Sequence, residues 1–256
     1  MSSTEPLIQV RGLSYRYPQG PTALDGLSFD VTEGESVALV GPNGAGKTSL
    51  FLCLSGVLKP RAERLRVGGL DVLDAAQRKR LPQQVGIVFQ DSDDQLFSTT
   101  VADDVAFGPL NLGLPFSVAH QRVGEALNQV GLSGFESRVP FHLSGGEKRR
   151  VALAGVLAMK PEILLLDEPS SHLDPRGRRE LIGLVNSLSV TKIIASHDLE
   201  FILETCRRVV ILDAGQVVAD GPARALLSNP TLMNDHGLEV PHSLTPHVLS
   251  HHYPKA

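Results

Sequence analysis

Short, almost unbroken apolar runs alternate along this chain with longer amphipathic stretches. Ser36-Val37-Ala38-Leu39-Val40 and Val85-Gly86-Ile87-Val88-Phe89 are two such runs; residues 163–166, 192–195 and 209–212 are three more. A strand with one wet face alternates apolar and polar positions, whereas a strand covered on both faces does not. Helical patterning fills the intervals after residue 163. Buried strands alternating with helices predict an α/β fold whose sheet contains parallel strands covered on both sides. Residues 7–40 hold strand-like runs with turn signals at 18–21 and 32–34. Residues 61–74 predict a strand pair around Gly68-Gly69, giving a small antiparallel β subdomain. From residue 91 to 158 the pattern is helical, as over 118–130, with loop signals at Gly108-Pro109 and from Gly113 to Pro115. A helical subdomain inserted at 91–158 into a core of residues 1–90 and 159–230 is therefore expected, followed by a tail over 231–256. No internal repeat or low-complexity block is present.

Composition narrows this little. A chain of 256 residues, 42% hydrophobic, suffices for one large α/β domain with an insertion. No apolar run reaches the roughly eighteen residues that a membrane-spanning helix needs. The first residues, Met1-Ser2-Ser3-Thr4-Glu5-Pro6, carry neither the basic nor the apolar region of a secretory leader. Cys53 and Cys206 are too few for a disulfide framework and fit a reducing compartment. The net charge of −4 argues against a nucleic-acid partner. A basic cluster, Lys148-Arg149-Arg150, reads as a solvated helix face.

The first candidate chemistry is Gly41-Pro42-Asn43-Gly44-Ala45-Gly46-Lys47-Thr48, with Ser49 opening the helix that follows. It fits G-x-x-x-x-G-K-[ST] between a buried strand and a helix, and that setting makes it a phosphate cradle. Glycines let successive amide groups turn inward around an anion. The helix start adds about half a positive charge. Lys47 supplies a full charge for the β- and γ-phosphates, and the Thr48 hydroxyl is a ligand for Mg²⁺. The fold is thus read as a P-loop NTPase core.

A second element is the apolar run 163–166 ending in Asp167-Glu168-Pro169. Ligands of open α/β sheets bind at the carboxyl ends of strands. If this strand neighbours the one before Gly41, Asp167 joins the Mg²⁺ shell and Glu168 orients or deprotonates the attacking water. A third is Leu143-Ser144-Gly145-Gly146-Glu147. Ser144 and Glu147 have capping-box spacing. The two glycines leave backbone amides bare at a helix start, a second anion site. Two anion sites in one chain point to a nucleotide shared between two molecules.

These residues, in this order over about 7–225, resemble the ATP-binding subunit of an ATP-binding-cassette transporter. The cradle resembles the family's Walker A, residues 163–168 its Walker B, and 143–147 its signature LSGGQ, with Glu147 in place of Gln. By the resemblance, Tyr17 stacks on adenine; without it, Tyr17 is an edge-strand packing residue. Gln90 matches the Q-loop glutamine that senses Mg²⁺ and the attacking water. Ser170-Ser171-His172-Leu173-Asp174 matches the D-loop, with an unusual His172, and Asp174 counts among the nucleotide-site residues. His197 matches the switch histidine that contacts the γ-phosphate.

The resemblance implies an ATP- and Mg²⁺-dependent ATPase. Two subunits, identical or related, close head to tail on two ATP molecules and drive transmembrane subunits from the cytoplasmic side of the cell (inner) membrane. Residues 91–98 and 100–115 are similar to energy-coupling-factor importers, most of all their cobalt and nickel members. The tail histidines His236, His242, His247, His251 and His252 make a candidate metal buffer, since imidazole suits Ni²⁺ and Co²⁺. Prolines at 241, 246 and 254 predict a flexible end there. Two alternatives remain: an importer subunit for a vitamin or other cargo, and a soluble cassette ATPase acting on nucleic acid or ribosomes. Against the latter, fewer than a hundred residues separate Gly46 from Leu143, without heptads, and the chain carries one cassette.

Overall fold

The computed structural model describes residues 5–245. In chain order its elements are β1 (Ile8–Arg16), β2 (Thr22–Val31), β3 (Ser36–Val40), α1 (Lys47–Leu54), β4 (Arg64–Val67), β5 (Leu70–Asp71), α2 (Ala75–Arg78) and β6 (Val85–Val88). Then come α3 (Val101–Asn111), α4 (Phe116–Gln129), α5 (Gly145–Leu157), β7 (Ile163–Asp167) and α6 (Pro175–Ser187). The chain continues through β8 (Thr191–Ala195), α7 (Leu199–Thr205), β9 (Arg208–Asp213), β10 (Gln216–Pro222), α8 (Ala223–Leu227) and α9 (Pro230–Asp235).

The main sheet has the order β10-β9-β3-β8-β7-β6. All its pairings are parallel except β10 on β9. The unbroken apolar runs follow from burial on both faces. Ala38, Val40, Leu164, Leu166 and Ile194 point into one core, which holds α3 to α8. Val37, Leu39, Ile163, Leu165 and Ile193 point into the other, shared with α1 and the antiparallel sheet β2-β1-β4-β5. Truncating a fully buried leucine such as Leu165 to alanine costs about 2–5 kcal/mol.

The helical insertion is as expected. In α4, Ala119, Val123, Ala126 and Leu127 are buried at helical spacing. Thr100 caps α3 by accepting the Asp103 N–H, and α5 begins with a full capping box.

Two expectations are corrected. The strand ending in Asp167 is not the neighbour of β3, because β8 lies between them. Gly108-Pro109 is not a loop: both lie inside α3, where burial of the Pro109 ring offsets the one i→i−4 bond that its missing N–H costs the helix. The flexible end predicted from the prolines at 241, 246 and 254 lies largely outside the described residues, but up to residue 245 the chain is packed. Met233 of α9 is fully buried, and Leu238, Val240 and Leu244 pack on the core. His236 Nδ1 lies 2.9 Å from Asp213 Oδ2. Among the described residues no cluster of His, Cys, Asp and Glu is arranged to hold a metal ion; His247, His251 and His252 fall outside them.

Candidate active site

The cradle is built at the point where β3 runs out. A Cβ on Gly41 would lie 2.1 Å from the Leu212 carbonyl oxygen, so the loop passes too close to β9 for any side chain there. Gly46 has φ +104°, and its Cβ would meet the Ala23 carbonyl at 2.5 Å. Gly46 is also the N-cap of α1 and brings no side-chain cap, which leaves first-turn amides for an anion. Pro42 accepts the Ala45 N–H at 3.2 Å and closes the turn around Asn43 and Gly44.

Lys47 is buried. Its ammonium donates to the carbonyls of Gly41 at 2.6 Å and Pro42 at 3.2 Å, so it spans the loop. Burial pulls its pKa below the ordinary lysine value, against the pull of Glu168 and Asp167.

Thr48 Oγ1 donates to Asp167 Oδ2 at 2.7 Å. The two anion-chemistry elements therefore meet although β8 separates their strands. Burial pushes the Asp167 carboxyl above its usual range; the Thr48 bond opposes this and Glu168 adds to it. Thr48 and Asp167, with Gln90 lining the same cavity, supply hard oxygen donors of the kind Mg²⁺ takes.

Glu168 leaves β7 with φ +47°, a left-handed conformation uncommon for a residue with a Cβ. Strain of this kind persists where the surroundings over-determine it. Here Glu168 N–H donates to the Ala195 carbonyl at 2.8 Å. The side-chain oxygen Oε2 accepts from Ser196 Oγ and from the His197 N–H, each at 3.1 Å, and lies 2.8 Å from His197 Nδ1. Ser196, fully buried, was not among the residues singled out from sequence. Its position directly before His197, after an apolar strand, is the signal that would have found it.

Tyr17 sits just past β1, with its hydroxyl 3.2 Å from Ser49 Oγ and its ring edge-on to Tyr15. It lines a cavity of about 330 Å³ together with Gly44, Lys47, Gln90, Asp167 and Glu168. Tyr17 is 38% exposed, so it is a wall of that cavity rather than a core residue.

The 144–147 turn opens elsewhere. Ser144, Gly145, Gly146 and Glu147 line a groove of about 400 Å³ with His172 and Asp174, and no cradle residue shares it. Asp174 caps α6 by accepting the Gly177 N–H at 2.7 Å. Glu147 Oε2 accepts from the Ser144 N–H at 2.8 Å and from Ser144 Oγ at 2.7 Å. These two bonds, side chain first, hold the Glu147 carboxyl below the usual glutamate range. His172 has φ +62°.

The 148–150 cluster is not a solvated face. Lys148 pairs with Asp93 at 2.6 Å, and Arg149 is buried with its guanidinium on the carbonyls of Phe89 and Gln90. Helical spacing carries the signal: Arg149 precedes the buried Ala152 and Leu153 by three and four positions.

A cavity of about 800 Å³ joins Thr48, Gln90 and Asp167 to Gly145, Lys148 and Arg149. Phe89 and Asp94, which line it, also wall an apolar groove of about 420 Å³ that includes Val57, Leu96, Phe97 and Phe107. Phe97 and Phe107 stack edge to face, 4.8 Å between ring centres, and are 65% and 49% exposed. Asp104 is buried and accepts the N–H groups of Phe97 and Ser98.

A family model described as ABC transporter matches residues 24–171. A putative ABC transporter ATP-binding protein of Geobacter sulfurreducens is 50% identical over 241 residues, covering 93% of this chain and 95% of the relative. The energy-coupling factor transporter ATP-binding protein EcfA of Methanothermobacter thermautotrophicus is 48% identical over 240 residues, 92% of this chain and 77% of the relative. The solved structure of cbiO1 from Clostridium perfringens, part of the ABC transporter complex cbiONQ, superposes with a TM-score of 0.80 at 35% identity. It covers 91% of this chain and 94% of that one.

Proposed function

This chain belongs to the ABC transporter family as an ATP-hydrolysing subunit, and from that membership we propose that it is the motor of an energy-coupling-factor importer for cobalt or nickel ions. The observation that carries the motor reading is a shared wall. Phe89 and Asp94 line both the cavity that holds Thr48 and Asp167 and the apolar groove beside it. A rearrangement at the nucleotide is thereby felt where a partner docks. The groove, with its exposed Phe97 and Phe107, suits a short amphipathic helix from a membrane subunit. The likeness to the Methanothermobacter protein supports the energy-coupling-factor type. We place the chain at the cytoplasmic face of the cell membrane. Among the described residues no helix is long and apolar enough to cross a membrane.

In this reading ATP lies in the cradle with adenine against Tyr17 and its phosphates on the amides from Gly41 to Ser49. Lys47 shifts from the loop carbonyls to the β- and γ-phosphates. Thr48 and Gln90, with Asp167 through water, would hold Mg²⁺, which neutralises phosphate charge when bound. Glu168, aimed by Ser196 and His197, orients the water, and His197 contacts the γ-phosphate. The 144–147 turn and Asp174 close on the ATP of a second subunit, so the γ-phosphate holds two subunits together until it is cleaved. A nucleotide can shift only conformations that it binds differently, and this shared contact supplies the difference.

Affinity purification of the tagged chain in detergent tests the assignment. Co-elution of integral membrane proteins is the expected result, lost on Phe107→Glu; co-elution of ribosomes or nucleic acid contradicts it. Reconstituted with those partners in vesicles, the complex should accumulate Co²⁺ or Ni²⁺ on ATP addition. Uptake of a vitamin instead would overturn the cargo.

A further inference from the structure

Arg149 is a buried cation that none of the chemistry above uses. It is 5% exposed and lies in α5, two residues past Glu147. Its neighbours have carboxylate partners, Lys148 with Asp93 at 2.6 Å and Arg150 with Glu180 at 3.4 Å. Arg149 instead uses its fork on two backbone carbonyls, donating to Phe89 through Nη1 at 2.6 Å and to Gln90 through Nη2. Burying a guanidinium without a carboxylate is unfavourable unless its donors are well placed. Burial pulls its pKa down; the charges that oppose this are Asp91 and Asp167.

The carbonyls it holds are special ones. β6 ends at Val88, so Phe89 and Gln90 have left the ladder of the sheet. Among the described residues, the other side-chain bonds that reach residues 87–93 from outside come from Gln95, which accepts the Phe89 N–H and donates to the Ile87 carbonyl, and from Lys148 on Asp93; the remaining bonds, to Ser92 and between Asp91 and Asp93, are local. Two of the three attachments thus originate on adjacent residues of the helix that starts at the 144–147 turn. The same guanidinium faces the cavity that contains Thr48 and Asp167.

We propose that Arg149 is a positioning residue for Gln90. Its fork fastens the carbonyls of Phe89 and Gln90 to α5, so that seating the 144–147 turn on an opposing nucleotide sets where Gln90 stands against Thr48 and Asp167. One subunit's grip on its partner's ATP then tunes hydrolysis of its own. The proposal rests on the roles given above to Gln90 and the turn. A lysine at 149 keeps the charge but cannot span both carbonyls; an alanine keeps neither.

The test is steady-state ATP hydrolysis by the full chain, with nucleotide affinity from a fluorescent ATP analogue and melting curves alongside. Arg149→Ala should lower kcat about tenfold or more, as small misplacements of catalytic groups do, with analogue affinity changed less than about twofold. Arg149→Lys should recover part of the rate. Adding Arg149→Ala to Gln90→Ala should slow the enzyme no further, because both changes act through one group. Unchanged turnover in Arg149→Ala, a fully additive double variant, or a rate loss matched by equal losses in affinity and melting temperature would each overturn the proposal. If the alanine variant fails to fold, Arg149→Lys in the same double-variant comparison decides. Wild-type turnover in Gln90→Ala alone strikes instead at the role of Gln90, and this proposal falls with it.

Discussion

Glu168 and His197 are joined through one carboxylate oxygen, Oε2, which lies 2.8 Å from His197 Nδ1 and also accepts the His197 N–H and the Ser196 hydroxyl. The carboxylate is therefore aimed before any nucleotide arrives. Glu168→Gln keeps an oxygen that accepts these bonds but removes the base. Turnover should fall about 10²–10⁴-fold, the usual contribution of a general base, while ATP still binds. Phosphate release and equilibrium nucleotide binding check this; near-normal release would remove Glu168 from its role.

His197 contributes position rather than packing, since its side chain is 70% exposed. His197→Ala should leave stability within about 0.5 kcal/mol of wild type. Hydrolysis should fall about tenfold or more as the water-orienting group loses its partner. A variant with wild-type rate, measured at saturating ATP, contradicts the pairing.

Asp167 shows a conflict between stability and function. Its folded pKa is raised, chiefly by burial. The sign follows directly: its stabilising contribution is present below the ordinary aspartate value near 3.9 and is lost as pH rises through the folded value. Once deprotonated, Asp167 leaves the nucleotide-free fold with a buried charge beside Glu168. Asp167→Asn removes that charge and keeps an acceptor for Thr48. We expect a melting temperature about 2–4 °C higher, the shift for about 1 kcal/mol in a domain of this size, with hydrolysis lost. A lower melting temperature at pH 7 would show that the charge is compensated.

In the proposed function Glu147 places a carboxylate where the 144–147 turn meets the facing nucleotide. It stays ionised because Ser144 donates to it twice. Glu147→Gln preserves the capping geometry, since either residue completes the box. It also removes repulsion toward a facing triphosphate. The ATP concentration that half-saturates subunit association should fall several-fold, by the few tenths to 1 kcal/mol typical of a partly screened charge. Weaker association, read by light scattering with Glu168→Gln as background, would contradict this.

The fold was legible because parallel strands buried on both sides leave an apolar signature that few other elements share. Ala38 and Val40 enter one core while Val37 and Leu39 enter the other, so no polar position survives between them. The cradle was legible because Gly41 and Gly46 answer to steric demands that no other residue meets. Sheet order was not legible: nothing in the apolar run of β8 says that it separates β3 from β7. Charge was also misleading where long-range partners decide burial. Arg149, read from the sequence as part of a solvated face, satisfies two carbonyls about sixty residues away. The packing of residues 230–245 was not legible either, since nothing in the sequence around Met233 says that the core takes it in completely.

The account as a whole stands on ATP being shared between two copies or relatives of this chain. The most direct measurement is a structure of the Glu168→Gln protein with ATP and Mg²⁺. We predict each triphosphate lying between the 41–48 loop of one subunit and the 144–147 turn of the other. A nucleotide contacted by one subunit alone, with the turn open to solvent, would contradict it.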